Sequence, residues 1–193
     1  GFPETPYLFV EFHGTDAGVR EQAETFGEIA AAHGGGPFEW TSDAEERNRL
    51  WKARHDAYWA GLTLRPGASA LSTDVCVPIS RLAECIVATE EDIAESGLIA
   101  SIVGHVGDGN FHVLALMDVS DPKEVEAVEA FVARLNMRAI AMDGTCTGEH
   151  GVGQGKIAFL PHELGAGVEV MRAIKQALDP LGIMNPGKVI PAP

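Results

Sequence analysis

His105 and His112 have the clearest chemical spacing in the chain, within Gly104-His105-Val106-Gly107-Asp108-Gly109-Asn110-Phe111-His112. Asp-Gly between two apolar runs signals a two-residue hairpin turn, because a type I′ turn needs positive φ at both central positions. With Asp108-Gly109 at the tip, Gly107 pairs with Asn110, Val106 with Phe111, and His105 with His112. Directly opposed on one face, the two histidines would have Cβ atoms roughly 4.5–5.5 Å apart, close enough to share one metal ion. A slip of one residue would send the rings to opposite faces, so the reading depends on register. A second segment, Gly144-Thr145-Cys146-Thr147-Gly148-Glu149-His150-Gly151-Val152-Gly153, sets a carboxylate beside an imidazole in a glycine-rich loop. Such backbone can approach a ligand closely. His105, His112 and Glu149 form a two-histidine, one-carboxylate set that leaves open positions on zinc, manganese or iron(II). His150 is then the spare imidazole, a side-chain type suited to proton transfer near neutral pH.

Other candidates are weaker. Lys156 follows Gly155, but the run Gly-Glu-His-Gly-Val-Gly-Gln-Gly-Lys matches neither a Walker A loop nor a dinucleotide fingerprint, which excludes a phosphate cradle. Arg54 lies on the apolar stripe of its helix, so it meets either a substrate carboxylate or an internal glutamate. Arg65 and Lys188 sit in loop-like contexts and either bind an anion or are solvated. His13, His33, His55 and His162 read as surface or satisfied core residues. Asn185-Pro186-Gly187 reads as a turn.

The elements that must position these residues alternate along the chain. Residues 7–12 and 37–41 read as strands. A helix capped by Asp16 runs to about Ala32 with Val19, Ala23, Phe26, Ile29 and Ala30 inward, and His33-Gly34 stops it. Ser42 or Asp43 caps a second helix whose inner stripe includes Leu50, Trp51, Arg54 and Tyr58. Residues 70–77 read as a strand, 79–96 as a helix opened by Pro78 and closed by Gly97, and 98–106 and 111–118 as two more strands. Asp121-Pro122 opens an amphipathic helix to about Met142, with Val125, Val128, Phe131, Val132, Leu135 and Ile140 inside. A last helix covers about 163–179. Helices between strands able to pair as hairpins predict an α+β fold: an antiparallel sheet with helices packed on it, an elaborated ferredoxin-like cap.

Composition narrows the function. With 193 residues, 46% of them hydrophobic, the chain suits one globular domain over 1–193. Fourteen basic against 28 acidic side chains give a formal charge of −14. Such a surface repels phosphate backbones and anionic lipid, so no nucleic-acid partner is expected. No apolar run reaches the ~18 residues of a membrane helix. Three cysteines, Cys76, Cys85 and Cys146, lack a CxxC pair and fit a reducing compartment. The chain runs almost at once into its first apolar segment, as though cut close to a folded element.

GHVGDGNFH, GTCTGEHGVGQGK and LDPLGIMNPGKV, in this order, resemble the C-terminal domain of FAD-linked oxidases of the vanillyl-alcohol oxidase type, from Tyr7 to Val189. Within that group, LWKARHDAYWA and STDVCVPISRL are most similar to the cytochrome-linked, flavin-dependent D-lactate dehydrogenases, with glycolate oxidase flavin subunits and D-2-hydroxyglutarate dehydrogenases as relatives. The resemblance implies an FAD-dependent oxidoreductase in which a separate N-terminal domain, absent from this chain, holds most of the FAD, so that the fragment alone would be inactive. It implies a divalent metal, zinc or manganese, on His105, His112 and Glu149, and His150 as general base. It implies Arg54 and Asn110 as substrate contacts and Asn185 against the flavin. The hydroxyglutarate enzymes carry a lysine in the region of Ser72-Thr73-Asp74. Its absence here favours a monocarboxylic 2-hydroxy acid such as D-lactate. The implied electron acceptor is a quinone, cytochrome or flavoprotein, and the compartment a bacterial cytoplasm or a mitochondrial matrix. A stand-alone metal-binding module and a metallohydrolase, in which Glu149 or His150 activates water, are the rival readings of the same residues.

Overall fold

A computed structural model describes residues 5–190, and the chain divides into two compact units, Gly1–Ala57 and Tyr58–Pro193. The first is helical. Helix α1 (Asp16–Ala32) is capped not by Asp16 but by Thr15, whose hydroxyl accepts from Gly18 N–H at 3.2 Å; Asp16 stands in the first turn, where an acid suits the helix dipole. Helix α2 (Ala44–His55) is capped by Asp43, which accepts from Glu46 N–H at 2.9 Å. It ends before Tyr58, which falls on α3 (Ala57–Leu62) and is exposed, outside the inward stripe expected of it.

The strands expected over 7–12 and 37–41 do not form. Aromatic, β-prone sequence makes a strand only where it finds a ladder to join. These segments instead supply rings to α1: Phe26 packs against Phe12 at 5.9 Å and Phe38 at 5.1 Å, centroid to centroid.

The second unit carries the sheet. Its elements are β1 (Ser69–Ser72), β2 (Val75–Cys76), α4 (Ile79–Ser96), β3 (Ile99–His105), β4 (Asn110–Met117), α5 (Pro122–Ala141), α6 (Leu160–Leu164) and α7 (Gly167–Leu178). With β1 and β2 counted as one interrupted strand, the order from β1 to α5 is the β-α-β-β-α of a ferredoxin-like unit, and the α+β class and antiparallel pairing are as expected. Strand β4 is central, with β3 along one edge and β1 and β2 along the other. Its alternation splits the unit into two faces. Phe111 and Val113 enter a core with Val75, Cys85, Phe131 and Leu135, built by the apolar stripes of α4 and α5. Asn110, His112 and Leu114 point the other way.

Asp92 on α4 fastens the two core helices together. Its carboxylate accepts from Arg134 Nη2 at 2.5 Å and Arg138 Nη2 at 2.7 Å, both on α5. Two further expectations need correction. The helix expected over 163–179 breaks at Gly165, where φ is +51°, so α6 and α7 are separate. The strand expected over 70–77 is interrupted at Thr73-Asp74, and the site is built on that interruption.

Candidate metal centre

The hairpin that presents the histidines is wider than the Asp-Gly signal implies. The pairs are His105 with Asn110, Gly104 with Phe111, and Val103 with His112. A 3-10 turn over Val106–Asp108, closed by Gly109 at φ +74°, replaces the two-residue tip. Gly109 is drawn against the end of β2: its carbonyl accepts from Val77 N–H at 3.0 Å. A Cβ on Gly109 would lie 2.1 Å from the Val77 carbonyl oxygen, so only glycine fits. The expected His105–His112 pairing is therefore wrong by two positions. A shift of two preserves parity, so both rings still share one face. They meet as diagonal neighbours, centroids 6.1 Å apart and nearly perpendicular.

Thr73 then orients His112. In a regular ladder the 73–113 pair exchanges two backbone hydrogen bonds. Here Thr73 N–H donates to the Val113 carbonyl at 3.0 Å, but Val113 N–H donates to the Thr73 hydroxyl at 2.8 Å. The freed Thr73 carbonyl lies 2.8 Å from His112 Nδ1. A carbonyl only accepts, so Nδ1 carries a proton; in the neutral ring this leaves the lone pair on Nε2, the tautomer a metal ligand needs.

The glycine-rich segment is anchored to the same strand edge. Thr145 bridges Cys76 through two backbone bonds of 2.8 and 3.2 Å, and Cys146 N–H donates to Glu163 on α6 at 3.0 Å. Burial, with Glu163 alongside, pushes the Cys146 thiol up to about 12. The chain next passes over Asn110 and Asp74 at Gly148, where a Cβ would sit 2.0 Å from Asn110 Nδ2. Glu149 and His150 follow.

The ligand atoms of His105, His112 and Glu149 lie within 4.8 Å of one another. Glu149 Oε1 is 3.1 Å from His112 Nε2 and 3.2 Å from His150 Nε2. A lone pair facing a carboxylate so closely requires a cation or a proton between them, and the mixed nitrogen and oxygen donors fit a divalent ion. His112 is almost buried, whereas the His150 side chain is 63% exposed and open to a ligand. Asp74, His112 and His150 form a second, overlapping group. Asp74 is already engaged, because it accepts from Asn110 Nδ2 at 2.9 Å, Glu149 N–H at 3.1 Å, His150 N–H at 2.9 Å and Lys156 Nζ at 3.3 Å. Burial alone would raise its pKa, but the His150 N–H, the Asn110 amide, the Lys156 charge and the Glu149 N–H outweigh burial and hold it far below the usual carboxylate range.

The remaining sequence candidates separate. Asn110 joins the site, with its buried Oδ1 left without a hydrogen-bond partner. Arg65 is committed to Glu124 through bonds of 2.5 and 3.0 Å. Arg54 is half-buried on α2 in the first unit. Asn185 stands exposed at φ +45° in the expected turn, and the tail beyond it returns to the glycine-rich loop through Val189 N–H to the Gly153 carbonyl at 2.7 Å. Thr73, Asp74 and Lys156 were not identified as site residues from the sequence. The available signal was an aspartate inside a β-prone run, which is costly unless it meets partners.

An antiparallel sheet carrying two histidines beside a glutamate-bearing glycine loop, with helices packed on it, defines an α+β domain. The chain belongs to the family described as FAD linked oxidases, C-terminal domain, whose sequence model matches residues 2–189. It is 54% identical over 187 residues to the probable mitochondrial D-lactate dehydrogenase of Danio rerio, covering 96% of this chain and 38% of that protein. It is 44% identical over 189 residues to the mitochondrial D-lactate dehydrogenase [cytochrome] of Arabidopsis thaliana, covering 97% and 33%. Against the glycolate oxidase subunit GlcD of Bacillus subtilis the identity is 38% over 146 residues, covering 75% and 31%. The chain thus spans about a third of the length of the curated relatives it matches.

Proposed function

We propose that this chain is the substrate- and metal-binding part of an FAD-dependent D-2-hydroxy acid dehydrogenase that oxidises D-lactate, or a similar monocarboxylic acid, to the 2-oxo acid. The observation that carries the reading is the convergence of His105, His112 and Glu149, with the Thr73 carbonyl on His112 Nδ1 and Nε2 turned toward Glu149. The names of the relatives support the substrate class, and the family description supports the flavin. A divalent ion on that set supplies Lewis acidity toward the substrate hydroxyl and carboxylate, and FAD bound outside this chain supplies the hydride acceptor.

The chain's own residues do the rest. His150 takes the hydroxyl proton at Nε2, the ring nitrogen it turns toward the cluster, as C2 gives up its hydrogen with both bonding electrons and the C–O bond becomes a carbonyl. Asn110 offers Oδ1 as an acceptor beside the reacting centre. Arg54 takes the substrate carboxylate on the strength of the family resemblance, and Asn185 contacts the flavin on the same ground. The hydroxyglutarate enzymes carry a lysine in the region of Ser72-Thr73-Asp74; here Lys156 reaches that region but is committed to Asp74, which favours a monocarboxylic acid. The downstream electron acceptor in this reading would be a quinone, cytochrome or flavoprotein. The names of the eukaryotic relatives support a mitochondrial compartment in a eukaryote; for a bacterium the proposal is the cytoplasm. Among the described residues no helix is long and apolar enough to cross a membrane.

The test uses the full-length protein. D-lactate should bleach its flavin, and His112→Ala should remove the bound divalent ion and slow bleaching by at least about a hundredfold. Full metal content and an unchanged rate in His112→Ala would overturn the proposal.

A further inference from the structure

Asp74 is 3% exposed and sits at the break between β1 and β2, in register with His112 across the sheet. A buried carboxylate is costly unless its lone pairs are filled. Here they are filled almost wholly by the loop that carries the proposed ligands: both oxygens take Glu149 N–H, Oδ2 takes His150 N–H, and Thr147 Oγ1 lies 3.3 Å away. The fourth side is Asn110, which also donates to the Val75 carbonyl at 3.0 Å. Lys156 closes the arrangement from beyond the loop, with Nζ 2.9 Å from the Asp74 carbonyl and 3.3 Å from Oδ2. Its side chain is only 18% exposed, so the two charges balance each other away from bulk water. Gly148 lets the loop lie this close.

We propose that Asp74, charge-balanced by Lys156, is the positioning residue that holds Glu149 and His150 against His112, so that the affinity for a divalent ion depends on a carboxylate whose own oxygens are committed within the chain. This rests on the metal reading above and extends it to two residues that the mechanism does not use. Successive backbone N–H groups gathered on one carboxylate fix the direction in which the Glu149 and His150 side chains leave the loop. An amide at position 74 would turn an N–H₂ toward those donors and would leave Lys156 uncompensated. Outer partners of metal ligands commonly alter affinity by about 10–100-fold.

The experiment titrates the metal-stripped full-length protein with zinc or manganese by calorimetry, and with cobalt by its visible absorption. The variants are Asp74→Asn, Asp74→Glu, Lys156→Gln and His112→Ala, with thermal unfolding measured alongside. Asp74→Asn and Lys156→Gln are expected to weaken ion binding by about 10–100-fold and to alter the cobalt spectrum. Asp74→Glu should recover part of the affinity, and kcat should fall more than KM rises. A folded Asp74→Asn or Lys156→Gln that binds the ion like the parent, while His112→Ala loses it, overturns the positioning role. If His112→Ala also binds like the parent, the metal reading itself fails. Lys156→Gln keeps the question answerable if Asp74→Asn does not fold.

Discussion

At Thr73, the hydroxyl and the carbonyl of one residue are divided between the sheet and the site. The hydroxyl keeps Val113 N–H satisfied, and the carbonyl is released to His112. Valine at this position would remove the substitute acceptor, so Val113 N–H and His112 Nδ1 would compete for one carbonyl. Thr73→Val should lower stability by about 1 kcal/mol and lose the single His112 tautomer, as read from imidazole 15N shifts. Thr73→Ser should retain both, and an unchanged His112 spectrum in Thr73→Val would show that the carbonyl does not orient the ring. The histidine pair was legible in the sequence because side-chain parity survives a register error of two. Asp74 was not, because its partners lie 36 to 82 positions away and only the folded sheet gathers them.

At the scale of elements, α4 and α5 were legible because their boundaries are local chemistry: Pro78, the left-handed Gly97 at φ +64°, and Asp121 accepting from Lys123 N–H at 2.9 Å. The clamp between them is not local. Burial would raise the Asp92 pKa, but hydrogen bonds from Arg134, Arg138 and Ser96 outweigh it and leave it lowered. A carboxyl with a lower pKa in the fold than in the unfolded chain stabilises fully above its ordinary value of 3.8, and the contribution is lost as pH falls through the folded-state value. Asp92→Asn should therefore cost about 1–3 kcal/mol at neutral pH, and the difference should shrink below about pH 4. Urea unfolding across that range measures it; a gap independent of pH would show that the Asp92 charge is not the source. The strands over 7–12 and 37–41 failed as expectations because β-propensity describes a residue's fit to a sheet and does not supply the neighbouring strand.

The whole molecule joins an acidic surface to an exposed apolar ridge. Val170, Ile174 and Leu178 recur every four residues along α7, and Leu181, Ile183 and Met184 extend the exposed surface into the tail. A ridge of this kind favours association. The 193-residue chain should self-associate at micromolar concentration, and Ile174→Glu with Leu178→Glu should shift its sedimentation toward monomer. Identical sedimentation of the two proteins would clear the ridge of that role. Fold class was readable from the alternation of elements, because one apolar face per helix and per strand leaves few ways to build layers. The sheet carries one more consequence. Ser72 pairs with Leu114 and Val75 with Phe111, three steps on each strand, so the pairing is unchanged across Thr73-Asp74. Those two positions form a window in an otherwise continuous wall. The Asp74 side chain and the Thr73 carbonyl are spent on the site, while the Thr73 hydroxyl stays with the wall, which keeps its register.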